Sequence, residues 1–233
     1  MTQSHIPYGR QSVDEAAIRA VEAVLRGAWL TQGPTVEAFE DAVAHRVQAR
    51  HAVAFSSGTA ALHGCTAVAG LGAGDLVVTS PLTFMASANC ARYVGANVGL
   101  VDVRPETLNL DMAQIPAEAD AVVAVHYAGL PVDLRGMKVR PRVVIEDAAH
   151  ALGVSTPDGP VGNCARSDLC MFSFHPVKPI TTGEGGIVTT NDDSLAHELR
   201  QFRSHDIERT PDRGAWAYQI SELGLQYGTK PGF

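Results

Sequence analysis

The sequence predicts a doubly wound α/β domain on a mainly parallel sheet, and three observations predict it. Short, continuous apolar runs such as Val143-Val144-Ile145 alternate with stretches of helical periodicity, which is how strands covered on both faces read. Polar residues of unusual chemistry fall directly after those runs, at the carboxyl ends of strands, where open α/β sheets hold their ligands. The 233 residues, 45% apolar and 18% charged, are enough for one sizeable core.

Taken in order, a first helix is expected over 12–26. Ser12 to Glu15 reads as a capping box, Val13, Ala16, Ala17, Ala20, Val21, Val24 and Leu25 recur at helical spacing, and Gly27 ends the run. After the turn-rich Thr31-Gln32-Gly33-Pro34, a second helix carries Val36, Phe39, Val43 and Val47 on one face. The first strand, His51 to Phe55, breaks into Ser56-Ser57-Gly58-Thr59 before an alanine-rich helix from Ala60 to about Ala69. Then come a strand at Leu76–Thr79, a helix at Phe84–Tyr93, a strand at Val98–Val101 and an irregular stretch to Ile115. Strands at Ala121–His126 and Arg142–Glu146 follow, then a buried strand at Leu169–Phe174, another beginning at Gly185, and a last helix over 192–203. The segment after it is polar and turn-rich.

Composition narrows the chemistry. A net charge of −7 offers no electrostatic footprint for nucleic acid, and no basic run suggests an anionic membrane surface. The N-terminus lacks a secretory pattern and no apolar segment is long enough to cross a bilayer, so a cytoplasmic location is the expectation. Cys65, Cys90, Cys164 and Cys170 are scattered without CxxC spacing, which reads as buried free thiols rather than a zinc site or a disulfide framework.

The stretch that organises the chain is DLCMFSFHPVKPITTGEGGIVTTN, residues 168–191. Lys178 hangs between the two strands of that stretch, flanked by Pro176 and Pro179 and followed by threonines and glycines. Such a loop is built to hold one side chain in place, although a loop lysine by itself is most often a solvated charge. Asp147 stands at the mouth of the sheet after Val143-Val144-Ile145, and on its own could equally cap a helix. A strand, small polar residues with glycine, and a helix start at Ser57-Gly58-Thr59 form a recipe for an anion site, or for a simple capped helix. A metal held by Glu146, Asp147 and His150 matches no zinc signature. Together, an anchored lysine, an acid at a strand end and an anion site suit pyridoxal phosphate, which needs an amine for its aldehyde, a carboxylate for its pyridine nitrogen and donors for its phosphate.

The same residues carry a family resemblance. SSGTAAL at 56–62, SPLTFMASANC at 80–90, VVIEDAAHALG at 143–153 and FSFHPVKPITTGEGG at 172–186 resemble the sugar aminotransferases of the DegT/DnrJ/EryC1/StrS family, fold type I of the pyridoxal-phosphate enzymes, over about Leu30 to Leu223. The resemblance implies that Lys178 forms the Schiff base with the cofactor and that Asp147 pairs with the pyridine nitrogen. It implies further that His150 approaches the ring hydroxyl, that Phe84 stacks on the ring, and that Gly58, Thr59 and Ser173 hold the phosphate. Related sugar dehydratases carry histidine in place of the lysine, so Lys178 implies amino transfer: L-glutamate as donor, a UDP-linked 4-keto-6-deoxy sugar as acceptor, and a homodimer as the working form. Within the family, the lysine loop and Arg203-Ser204-His205 are most similar to the transaminases of pseudaminic acid biosynthesis.

The resemblance also marks a departure. Members of the family continue past Glu222-Leu223-Gly224 with a GYNYR-like segment and a smaller domain, whereas Gln226 and Gly228 stand here where the family has asparagine and arginine. The expected organisation is therefore an N-terminal helical segment (1–30), a cofactor-binding large domain (31–223) and a divergent tail (224–233) in place of the small domain. The alternative function is a catalytically impaired remnant that binds the cofactor or a partner subunit without turnover.

Overall fold

The structure, a computed structural model, describes residues 9–209, 218–220 and 224–229. Helix α1 (Glu15–Leu25) is capped by Asp14, whose Oδ1 accepts from the Ala17 N–H at 2.8 Å. It therefore starts later than the Ser12 capping box suggests, because the carboxylate of Asp14 satisfies one of the free N–H groups of the first turn, that of Ala17. Helix α2 (Pro34–Val47) begins on a proline, whose missing N–H costs nothing at that position, and buries Val36, Val43 and Val47. Strand β1 (His51–Phe55) leads into α3 (Gly58–Val68), then β2 (Leu76–Thr79), α4 (Ala86–Tyr93) and β3 (Asn97–Leu100). Next come β4 (Ala121–Val125), β5 (Val143–Asp147), the two-residue hairpin strands β6 (Ser155–Thr156) and β7 (Gly159–Pro160), β8 (Leu169–Ser173) and β9 (Gly186–Thr190). Helix α5 (Asp193–Phe202) and the short pair β10 (Ile207–Arg209) and β11 (Tyr218–Ile220) complete the described elements. Residues 210–217 and 221–223 of the polar, turn-rich stretch expected after α5 lie outside the described residues.

Seven strands form one sheet in the order β1-β9-β8-β5-β4-β2-β3. From β8 through β3 the neighbours are parallel, while β9 runs antiparallel to both β8 and β1. The sheet is thus mainly parallel with one reversed strand inside it. Side chains alternate between its faces. Val53, Phe55, Ile145, Met171 and Val188 pack with α3, α4 and α5 on one face. Ala52, Ala54, Phe172 and Ile187 pack under α2 on the other, and Val78, Val122 and Val144 continue that face beneath Met112 and Leu134. All four cysteines are free and buried within these layers.

Two devices tie the edges of the fold to the carboxyl end of β1. Buried Glu40 of α2 accepts from the Ala54 N–H at 2.8 Å and pairs with Arg203, whose guanidinium also donates to the Ala54 carbonyl at 2.9 Å. A buried ion pair is costly to break on one side only, so this clamp holds α2, β1 and the end of α5 in register. Residues 224–229 then fold back across it. The Ser56 N–H donates to the Tyr227 carbonyl at 2.7 Å, and Thr229 Oγ1 donates to the Phe55 carbonyl at 2.6 Å.

Gly186, the first residue of β9, passes so close to the Ser57-Gly58 peptide that a Cβ there would stand 2.7 Å from the Gly58 nitrogen. Backbone cannot yield as a flexible side chain can. Gly186→Ala is expected to cost about 1–3 kcal/mol by overpacking, read as a melting temperature lowered by at least about 2 °C. An unchanged melting temperature would contradict the close approach.

Candidate active site

Every candidate residue read from the sequence lies at or just beyond the carboxyl ends of the parallel strands. At the end of β1, Ser57 caps α3, its Oγ accepting from the Ala60 N–H at 3.1 Å. The Ser56 N–H is spent on Tyr227, so the N–H groups of Gly58 and Thr59, orphans of the first helical turn, are the ones placed to meet an anion. Gly58 is buried against β8, and a Cβ on it would lie 3.1 Å from Ser173 Cβ and 3.3 Å from Ser173 Oγ. The start of α3 and the end of β8 therefore lie side by side, with the Ser173 hydroxyl next to Gly58.

At the end of β5 the alternation of the strand separates two acids. Glu146 points to one face, where its carboxylate accepts from Ser167 and meets His126 Nε2 at 2.8 Å; His126 Nδ1 accepts from the Val132 N–H at 3.0 Å. Asp147 points to the other, only 5% exposed. Its Oδ2 accepts from Ser87 Oγ at 2.6 Å and its Oδ1 from the Ala149 N–H at 3.2 Å. Because Glu146 and Asp147 face opposite ways, they do not converge with His150 on one ion, and among the described residues no group of three could hold a metal.

The lysine loop joins β8 to β9 and is tied at its base. The Phe174 N–H donates to Gly185 at 2.9 Å, the Thr182 N–H to Phe174 at 3.1 Å, and the Lys178 N–H to His175 at 2.9 Å. The buried Phe174 ring meets Phe39 of α2 edge-on at 5.2 Å. From this loop the Lys178 amine reaches His150 Nε2 at 2.8 Å. Burial pushes Lys178 below the ordinary lysine range, with the Asp147 charge opposing. Burial and then the lysine charge push His150 down as well, again against Asp147. Lys178, His150 and Asp147 are thus electrostatically one cluster, in which the imidazole is neutral and free to accept from the ammonium.

Phe84 sits on the turn between β2 and α4 and is 67% exposed, open to a flat ligand. The helix expected from Phe84 begins at Ala86 instead, since residues 84 and 85 form the turn that projects this ring. The structure places His150 against the lysine amine. Sequence reasoning missed Ser87 altogether; its signal was the hydroxyl pair Thr83 and Ser87, four residues apart at a helix start beside a strand end.

Residues 11–229 match the family described as the DegT/DnrJ/EryC1/StrS aminotransferase family, a span that starts before Leu30 and runs beyond Leu223. The chain is 38% identical over 240 residues to the UDP-4-amino-4-deoxy-L-arabinose–oxoglutarate aminotransferase of Shewanella sediminis, covering 97% of this chain and 61% of that protein. It is similar in structure to Helicobacter pylori PseC, an aminotransferase involved in the biosynthesis of pseudoaminic acid, with a TM-score of 0.89 and 28% identity over 98% of this chain and 63% of the other. The PLP form of the putative sugar aminotransferase Spr1654 from Streptococcus pneumoniae gives a TM-score of 0.86 and 26% identity, covering 97% and 64%. The chain thus spans under two thirds of the length of each of these relatives.

The electrostatic cluster has a sign that can be tested. After reductive methylation with a carbon-13 label, Lys178 is expected to titrate below the ordinary lysine value of about 10.4. Asp147→Asn should move it further down, because the carboxylate favours the ammonium form. A midpoint unchanged or raised by that substitution would contradict the cluster.

Proposed function

The chain belongs to the DegT/DnrJ/EryC1/StrS aminotransferase family, and from that premise we propose that it holds pyridoxal phosphate at the mouth of its sheet. We propose further that it moves an amino group from L-glutamate to a UDP-linked 4-keto-6-deoxy sugar in nucleotide-sugar biosynthesis. The observation that carries this reading is a half-buried lysine of lowered pKa, hydrogen-bonded at 2.8 Å to His150 and facing the buried Asp147. An amine whose burial favours its neutral form, beside a protected carboxylate, is what aldehyde capture and proton transfer require.

The residues present fit the group. Because Gly58 has no Cβ, the start of α3 lies directly against Ser173 of β8, where a Cβ would stand 3.3 Å from Ser173 Oγ. The Gly58 and Thr59 N–H groups, the positive end of α3 and the Ser173 hydroxyl supply the donors that a phosphate dianion needs. Asp147 would hold the proton of the pyridine nitrogen, and Phe84 would offer a ring face. Bound there, pyridoxal phosphate supplies an electrophilic aldehyde and a ring that accepts the electron pair released when an α-proton leaves.

The chain's own groups account for the rest. Lys178 Nζ takes the proton from the glutamate α-carbon in the first half-reaction and hands one to carbon 4 of the sugar in the return half. His150, in contact with Nζ, holds the amine at the site between those transfers. Depressed pKa values on both groups keep the imidazole neutral and enrich the free amine.

The same reading includes a homodimer in the cytoplasm and the division of the chain at residues 30 and 223. What supports association is the apolar side of α1, on which Ile18, Val21 and Leu25 are 38% to 53% exposed, with exposed Val13 just before the helix, beside a cleft of about 630 Å³. The sugar class rests on the relatives named above and on the lysine loop.

Purified chain mixed with pyridoxal phosphate is expected to develop the absorbance band of a covalently held cofactor, absent in Lys178→Ala. L-glutamate should then convert the band and release 2-oxoglutarate, and a UDP-4-keto-6-deoxy sugar should restore it. A folded chain that develops no band would overturn the cofactor reading; a band that glutamate leaves unchanged would overturn amino transfer.

A further inference from the structure

We propose that Ser87 is the positioning residue for Asp147, and that Thr83 sets the direction of its hydrogen bond; the use made of Asp147 rests on the cofactor reading above. Ser87 is the second residue of α4 and has no exposed surface. A serine inside a helix commonly bonds back to its own backbone. This one instead reaches sixty positions along the chain to Asp147 Oδ2, at 2.6 Å.

Thr83 Oγ1 lies 2.6 Å from Ser87 Oγ, and by geometry either hydroxyl could donate. Bookkeeping of protons decides between them. A carboxylate only accepts, so the single Ser87 proton goes to Asp147, and Thr83 must donate to Ser87. The result is a directed chain from Thr83 through Ser87 to Asp147 Oδ2.

The Ala149 N–H holds the other oxygen at 3.2 Å. With one donor on each oxygen, rotation of the carboxylate about its Cβ–Cγ bond is arrested. Its remaining lone pairs then keep a fixed direction. That arrest is what a group must have if it is to hold one ring proton along one line, and hydrogen bonds to a charged acceptor are the stronger kind. Thr83 and Phe84 are adjacent on the same turn. The turn that would stack a ring therefore also anchors the acid beneath it.

A double-mutant cycle on the full chain without cofactor reads the bond itself. Ser87→Ala and Asp147→Ala should each lower the melting temperature, and the double variant should lose at least about 2 °C less than the sum of the two losses. Additive losses would overturn the proposal. If Ser87→Ala does not fold, Thr83→Val, which removes the donor to Ser87, takes its place in the cycle with the same two outcomes.

With pyridoxal phosphate added, Ser87→Ala should weaken cofactor binding by roughly tenfold and move the absorbance band in the direction that Asp147→Asn moves it. Ser87→Thr, which keeps the hydroxyl, should restore the position of the band. A band in Ser87→Ala unmoved from that of the parent chain would overturn the proposal. The two readings separate cleanly: a coupled cycle in a chain that takes up no cofactor supports the positioning bond and overturns the cofactor assignment alone.

Discussion

The hydrogen bonding of β9 between β8 and β1, antiparallel to both, is the constraint on which the site depends. Because β9 reverses direction, the connection from β8 stays at one edge of the sheet and becomes a closed loop rather than a crossover. Residue 186 then pairs with Phe55 on one side and Ser173 on the other. The strand end before the anion turn, the strand end before the lysine loop and the end of that loop are thereby pinned at one level. Only glycine serves at position 186, since the backbone of Ser57 and Gly58 occupies the space a side chain would need.

The alternation of β5 then sorts polar groups by task. Glu146 is satisfied among His126 and Ser167, buried beneath the irregular segments on its face. Asp147, one residue on, is turned toward α4 and the lysine loop. Two adjacent acids thus bond to separate partners, the first to His126 and Ser167 and the second to Ser87 and the Ala149 N–H. Buried charges persist only when their lone pairs are filled, and here each carboxylate has its own donors. The lysine contrasts with both: it is half-buried, its amine meets the His150 imidazole, and the Asp147 charge lies nearby.

Much of this was legible in the residues. The strands at His51–Phe55 and Leu76–Thr79 match their expected limits because apolar runs bounded by glycine, serine or proline leave little freedom of register. The order of candidate residues at strand ends was legible for the same reason, and it led to the family. What could not be read were long-range relations. No pattern distinguishes a buried strand that runs up from one that runs down, so the reversal of β9 was invisible. The Lys178–His150 contact joins a loop to a residue twenty-eight positions earlier, and the Ser87–Asp147 bond spans sixty. Residues 224–229, expected only as a divergent tail, lie across the end of β1, held by backbone bonds of Tyr227 to Ser56 and Arg203 and by the Thr229 hydroxyl on the Phe55 carbonyl, relations that no local pattern reveals. The first helix was placed a few residues early because Asp14 outcompeted Ser12 for the cap.

The central claim is that one particular amine among the chain's three lysines, Lys138, Lys178 and Lys230, is set aside for a covalent bond to an aldehyde cofactor. Reduction with borohydride after incubation with pyridoxal phosphate, followed by mass mapping of peptides, tests it most directly. The account predicts a stoichiometric mass increment confined to the peptide containing Lys178. An increment spread over Lys138 and Lys230, or none on Lys178 in a folded chain, would contradict it.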